Sequence, residues 1–459
     1  MRRESYIESV CSALRAAAFG EASPEGFALN GHRTRFAQVV VGLVGFVSVL
    51  DSGVAGLIIQ PIKHDLGLTD VQVGLAYGTA FYAAYGLFAI PGGMLADKVP
   101  RVRLLVFAMI LLCAGLLITA LSQGIWMLVF SKALVGVSAA FTYPAALSLL
   151  ADLFPPETRS SGSICYPIGQ QLGTFAAFLG GGLGYSALVR LRINHCNVLH
   201  GLAPWRVLSL AFSVLGLLVV PFLIELPEPQ RMERGGDKSG TLRELWSYRR
   251  LLAPLFVGIM CLAGASSGIL TWLAPSLTRL YHLQPGDYAA ASSVLILTCG
   301  LSAFILAGKV ANYVQERWGS RAVSLAAAVA TVLCVPGMLA GLMPTPIGFA
   351  AMGSTYEFFI AMAIWFPTMT INLRIPNELR GLCMGSYVVL IGVAGMIGSP
   401  LVGYASNALG GQQMIGRAIP AVCVPFAILA AFSFWLAAHL QSADIVDERC
   451  GDINLPLKA

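Results

Sequence analysis

The sequence predicts an all-α membrane protein of twelve transmembrane helices, arranged as two halves of six. Three observations carry that prediction. Of 459 residues, 57% are hydrophobic and 11% charged, where a soluble globular chain carries about 25% charged residues. Charge-free runs such as Val71 to Ala96 and Leu251 to Thr278 suit helices of about 20 residues crossing a ~30 Å hydrocarbon core. A membrane β-barrel would instead alternate over segments of about 10 residues. Finally, one long polar stretch, 226–250, separates two sets of six apolar runs.

Read in order, the apolar runs give spans at 37–60, 71–95, 104–122, 125–149, 161–188 and 205–225. After the central loop, 226–250, come 251–277, 288–309, 322–343, 347–372, 381–404 and 417–440. Residues 1–36 and 441–459 are left as tails, so the halves are 37–225 and 251–440. No charge separates span 3 from span 4 or span 9 from span 10, and the turns there rest on Ser122-Gln123-Gly124 and Pro344-Thr345-Pro346. Residues 1–35 contain five arginines and no apolar core, so no cleavable signal peptide is expected.

The net charge of +6 is a matter of placement. Six basic residues (Lys63, Arg190, Arg192, Arg206, Arg279, Arg417) fall on the side away from the termini, Lys132 lies within a span, and the other 22 of the 29 lie on the side of the termini. The positive-inside rule then makes both termini cytoplasmic, in a plasma or inner membrane. The basic excess faces an anionic leaflet and gives no reason to expect a nucleic-acid partner. The ten cysteines are scattered without a C-x-x-C pair, which argues against a metal site or a disulfide framework. No phosphate-binding loop, H-E-x-x-H or nucleophile elbow is present, so neither an enzyme, an ATP-driven pump nor a cofactor is expected.

The halves look like repeats. Span 2 ends in Gly93-Met-Leu-Ala-Asp-Lys-Val-Pro-Arg-Val-Arg103, and span 8 ends in a degenerate copy beginning at Gly308. Glu157 and Arg159 after span 4 match Glu378 and Arg380 after span 10. The Gly93 to Arg103 loop resembles the signature of the major facilitator superfamily, and with its second copy, Phe154 to Arg159 and the span count, the resemblance covers nearly the whole chain. Leu50 to Asp70 and Tyr143 to Arg159 are similar to two branches, the Spinster-like lipid transporters and the organic-anion symporters. The resemblance implies two six-helix bundles rocking about a midplane site.

Ionisable groups in hydrocarbon cost at least ~2.5 kcal/mol on insertion scales, so they are functional candidates. Three stand out: Asp51 in span 1, Lys132 in span 4 and Glu357 in span 10. Counting from the outer ends of their antiparallel spans puts Asp51 and Lys132 within about 3 Å in depth, so a pair is geometrically open to them. Asp51 would exchange a proton while Lys132 alternates between Asp51 and a substrate anion; a fixed internal salt bridge is the alternative. Glu357 is expected to approach the same central layer from the other half as proton carrier or substrate contact, or else to be a protonated, hydrogen-bonded acid within the bundle.

The resemblance implies an Arg at the Lys132 position and an acid seven residues later, where this chain has Ala139; organic-anion symporters carry Arg at Ser52. Weaker candidates for the cavity lining are Ser52, Tyr82, Tyr85, Tyr143, Gln170, Gln171, Ser266 and Ser267. Gly93, Asp97, Arg101 and Arg103 read as a gate, in which Gly93 permits close helix approach. In the family the aspartate latches the halves in the outward-facing state near the start of span 11. Pro100 replaces the usual glycine here, and Asn312 replaces the acid in the second copy.

The function expected is proton-coupled secondary transport of a small organic anion by a monomer in the bilayer, its partners being that small molecule, protons and lipid. Export or import of a lysolipid or other amphiphile is the alternative. A closed polar cavity around Lys132 would suit the first, and a lateral opening with an apolar wall the second.

Overall fold

Twelve helices in the computed structural model are long and apolar enough to cross a membrane. The structure describes residues 31–153, 164–193, 202–226, 228 and 242–452. The Phe154 to Arg159 motif and most of the central loop lie outside the described residues, as do the side chains of Asp97, Asn377 and Glu378. The first six spans are Thr34–Asp65, Asp70–Ala96, Arg101–Leu121, Ile125–Leu150, Cys165–Leu191 and Pro204–Ile224. The second six are Arg249–Tyr281, Pro285–Trp318, Ser320–Leu342, Pro346–Arg374, Leu379–Ala408 and Gln412–Leu440. Among the described residues there is no strand.

Helix ends follow local chemistry. Thr69 and Gln72 form a reciprocal capping box at the start of span 2. The uncharged turn before span 10 is set by Thr345, whose hydroxyl accepts from the Gly348 N–H, with Pro346 in the first helical turn. Several helices outrun their apolar cores. Span 1 runs five residues past 60, and span 8 runs to Trp318, so Arg317 rides on a helix where a loop was expected. That helix stops at Gly319, whose φ of +75° suits glycine, rather than where the hydrocarbon ends. The last helix likewise continues to Asp452, into the segment expected to be a tail.

The repeat reappears as packing. In the first half span 5 lies on span 1, span 4 on spans 2 and 3, and span 6 on span 3; the second half pairs 11 with 7, 10 with 8 and 9, and 12 with 9. The halves meet through spans 2 and 11, 5 and 8, and 1 and 7. Gly86 and Gly392 bring spans 2 and 11 to backbone contact, since a Cβ on Gly392 would lie 2.5 Å from the Gly86 Cα. Gly74 sits on the Pro400 backbone, and Gly182 of span 5 on Ala289 of span 8. The Gly74 and Gly182 contacts lie toward the membrane face opposite the termini and close the bundle there, while Gly86 and Gly392 meet near the middle of their spans.

Two helices are irregular near that closed region. Span 1 is two segments, Gly31–Ser48 and Leu50–Asp65, interrupted at Val49. Ser48 and Ser52 donate back to the carbonyls of Gly45 and Val49 on either side of the break, a competition that bends helices. Span 2 contains a π-helical segment, Leu75–Ala80.

Candidate functional site

The break at Val49 places Asp51 in the first turn of the second helical segment, where the positive end of the helix favours a carboxylate. Lys132 reaches it from span 4, with Nζ 2.6 Å from Asp51 Oδ1. Both are buried, Lys132 at 1% exposure and Asp51 at 5%. The pair that their depths left open is thus formed in the structure. A buried pair of this kind has a large desolvation cost that only its mutual contact offsets, so neither charge is stable there alone.

A third member was not foreseen. Lys132 Nζ lies 4.5 Å from the centroid of the Tyr77 ring, a cation–π distance. Tyr77 belongs to the π-helical segment, and its buried hydroxyl has no hydrogen-bond partner among the described residues. On its other sides the same segment touches the second half. Thr79 Oγ1 donates to the Met396 carbonyl at 2.7 Å, and Gly78 packs on the Ser399 side chain.

A second ionic cluster closes the face opposite the termini. Arg279 of span 7 donates to both oxygens of Asp70 of span 2, at 2.9 and 2.7 Å. Lys63 of span 1 pairs with the same carboxylate. The Asp70 side chain is fully buried, and those of Lys63 and Arg279 nearly so. The Arg279 guanidinium lies 5.1 Å from the Trp272 ring, whose Nε1 donates to the Ser399 carbonyl of span 11 at 2.9 Å. The side-chain amide of Gln60 in span 1 also lies 2.8 Å from Arg279, and because a guanidinium only donates, that contact is assigned to the amide oxygen. At span ends Lys63 and Arg279 read as topogenic charge; the signal that could have found this cluster is Asp70, an acid directly after the Thr69 cap on the side where basic residues are few.

Glu357 stands elsewhere. Its titratable neighbours include Cys299 of span 8 and Cys334 of span 9, and its half-buried carboxyl has no hydrogen bond or ion pair among the described residues. Its repeat counterpart, Gly136, packs against the Phe81 carbonyl of span 2, so this register faces helices of its own half. Both cysteines lie near the middle of their spans, the depth at which Glu357 lies in span 10.

The weaker candidates divide. Tyr85 and Tyr143 of the first half lie near Tyr166 and, across the divide, Tyr387. Gln171 reaches Gly300 of span 8, and Tyr82 packs on Gly395 of span 11. Ser267 packs against Gly398, and Ser266 is a neighbour of the buried Tyr356 hydroxyl, though neither of those oxygens completes a hydrogen bond. Ser52 is exposed, and Gln170 is half-buried.

In the loop expected to act as a gate, a Cβ on Gly93 would meet nothing within 4 Å, so Gly93 makes no close approach. The reason is that the halves are in contact at the opposite face. Arg101 is buried and paired with Asp152 of its own half and Glu228 of the central loop, while Glu228 also accepts from the Arg101 and Val102 N–H groups at the start of span 3. Arg103 is exposed. The side chain of Asp97 lies outside the described residues.

Neither principal cavity surrounds Lys132. The larger, about 740 Å³, is an apolar lateral groove of spans 8, 9 and 10 running from Trp318 and Arg321 past Val329 to Leu333. The smaller, about 390 Å³, lies beside Arg279, His282 and Arg417 on the closed face.

The sequence matches the family model of the Major Facilitator Superfamily over residues 41–399. It is 23% identical over 433 residues to an MFS-type efflux pump of Mycolicibacterium smegmatis, covering 91% of this chain and 96% of that one. A probable sulfoacetate transporter of Cupriavidus necator is 24% identical over 446 residues, with 90% and 96% covered. Among solved structures, a bacterial homolog of the human lysosomal transporter Spinster, inward-facing and unoccupied, matches with a TM-score of 0.76 at 19% identity, covering 90% of this chain and 98% of that one. Spinster proteins of Drosophila melanogaster and Rattus norvegicus and a probable galactarate/D-glucarate transporter of Pseudomonas putida are further relatives. The family match spans most of the sequence, and the chain belongs to the Major Facilitator Superfamily, whose members are membrane transporters and not enzymes.

Proposed function

We propose that the protein is a proton-coupled secondary transporter of an organic anion, working as a monomer in a cytoplasmic membrane with both termini inside. The observation that carries this reading is the buried Asp51–Lys132 pair. A proton arriving on an Asp51 carboxylate oxygen removes the negative charge that holds Lys132. The ammonium is then left buried against the Tyr77 ring without a counter-charge from Asp51, and a substrate carboxylate or sulfonate satisfies it at the same place. Loss of the proton from Asp51 restores the pair and releases the anion. Charge at the site is thus exchanged and never left uncompensated, which is the condition ion coupling requires. A lysine suits this exchange, being a compact ammonium on a flexible stem where an arginine would be a fixed fork.

A second reading, movement of a lysolipid or other amphiphile, is supported by Ser52 and Ala139, which stand where organic-anion symporters carry an Arg and an acid, and by the Spinster relatives. The apolar groove does not decide between the two, because it includes no residue of the first half.

The test is uptake into proteoliposomes, with and without an imposed pH gradient, of a panel of carboxylates, sulfonates and lysolipids. Accelerated uptake of a small anion down a proton gradient, lost in Asp51→Asn, is the expected result. Movement of lysolipid alone would install the second reading, and gradient-independent uptake of the anion would sink proton coupling.

A further inference from the structure

The π-helical segment of span 2 has one neighbour in each of the places that alternating access must connect. Inside the first half, Tyr77 lies under the Lys132 ammonium, 4.5 Å from ring centroid to Nζ, close to Asp51. Across the divide, Thr79 bonds the Met396 carbonyl and Gly78 rests on Ser399. The Ser399 carbonyl in turn holds the Trp272 indole, and Trp272 stacks on the Arg279 that grips Asp70. A continuous set of contacts therefore runs from the buried pair to the lock on the closed face. Contiguity alone does not carry coupling; a segment with two arrangements does. A π-helical turn holds one residue more than an α-helical turn, a residue that a shift to α-helical winding would release, and such turns are frequent at functional sites.

Two polar groups along this route stand unsatisfied. The Tyr77 hydroxyl and the Ser399 hydroxyl are both buried without a partner among the described residues, a state that costs about 1–3 kcal/mol for each group. Tyr77 has an evident partner waiting. When Lys132 leaves Asp51 for an anion, the protonated carboxyl needs a new hydrogen-bond partner, and the Tyr77 hydroxyl is close by.

We propose that Tyr77 is a positioning residue that couples the charge state of the Asp51–Lys132 pair to closure of the face opposite the termini. Its hydroxyl turns to the neutral Asp51 carboxyl, the ring leaves Lys132, and the π-helical segment shifts its hold on Met396 and Ser399. The inference rests on the reading of Asp51 as the group that changes charge.

Hydrogen exchange on the full chain, followed by mass spectrometry over 66–75 and 399–411, tests it without a substrate. Arg279→Gln serves as the control that opens the face directly. Asp51→Asn, a mimic of the protonated carboxyl, is expected to speed exchange in both segments roughly fivefold or more, and Tyr77→Phe placed on top is expected to abolish that increase. Where Asp51→Asn alone does not fold, Asp51→Asn with Lys132→Gln removes both charges and takes its place. If the increase survives Tyr77→Phe, the proposal is overturned. It is equally overturned if Tyr77→Phe alone opens the face as much as Arg279→Gln, since Tyr77 would then be a wedge in the packing. If Arg279→Gln opens the face but neither Asp51 variant does, the failure belongs to the Asp51 reading itself.

Discussion

The two buried ionic clusters differ in one respect that decides their roles. Asp51 and Lys132 belong to the same half, so a rigid rocking of one half against the other carries the pair along unbroken. Asp70 and Arg279 belong to different halves, so the same motion must pull them apart. The first can respond to chemistry without movement, and the second can respond to movement without chemistry. A transporter needs both kinds of site, and here they are separated by a short run of span 2, from Asp70 to Tyr77.

The comparison can be broken most forcefully at the inner pair. Asp51→Asn or Lys132→Met is expected to lower stability by about 3–5 kcal/mol, because each leaves a buried group without its partner, whereas the double variant should recover most of that loss. Thermal unfolding in detergent measures it, and additive losses would contradict a coupled pair. Transport is expected to vanish in all three variants. The outer cluster should behave differently: Arg279→Gln weakens the closed state by about 2–5 kcal/mol with little effect on the fold of either half. Lys63→Gln is expected to do much less, since Lys63 shares a half with Asp70 and the bidentate Arg279 contact survives. Equal opening by both variants, seen as exchange over 66–75, would contradict the cross-half assignment. The smallest effect is expected at Glu357, which has no partner to lose among the described residues. Glu357→Gln should change stability by under about 1 kcal/mol while shifting the pH profile of transport if Glu357 carries protons; an unaltered profile removes it from the mechanism.

What could be read in advance follows from range. Spans are written in contiguous apolar runs, and the two-half plan in loop signatures, so both were legible. Asp51 and Lys132 were legible too, because a charge inside a span is rare enough to be noticed and its depth can be counted. Tyr77 was not: a tyrosine in a membrane helix reads as packing, and nothing in the sequence announces the π-helical segment on which it lies. Asp70 and Arg279 lie 209 residues apart in sequence, and nothing local announces their contact. The neighbours of Glu357, Cys299 and Cys334, were not legible, because a repeat offset preserves depth but not the direction in which a side chain points. The Gly93 to Arg103 loop was read for its role in one conformation, and the structure is in another.

The closed cluster also has an unbalanced charge: two cations, Lys63 and Arg279, share one carboxylate. While the face is shut, that surplus is buried. Once the halves part there, Arg279 is released from Asp70 on one wall and Lys63 stays near it on the other, so the mouth that forms carries net positive charge. Such a mouth concentrates anions by electrostatic steering and raises their capture rate most at low ionic strength. The bolt of the closed state becomes, on opening, a funnel for anions, the class of solute proposed above for the inner lysine.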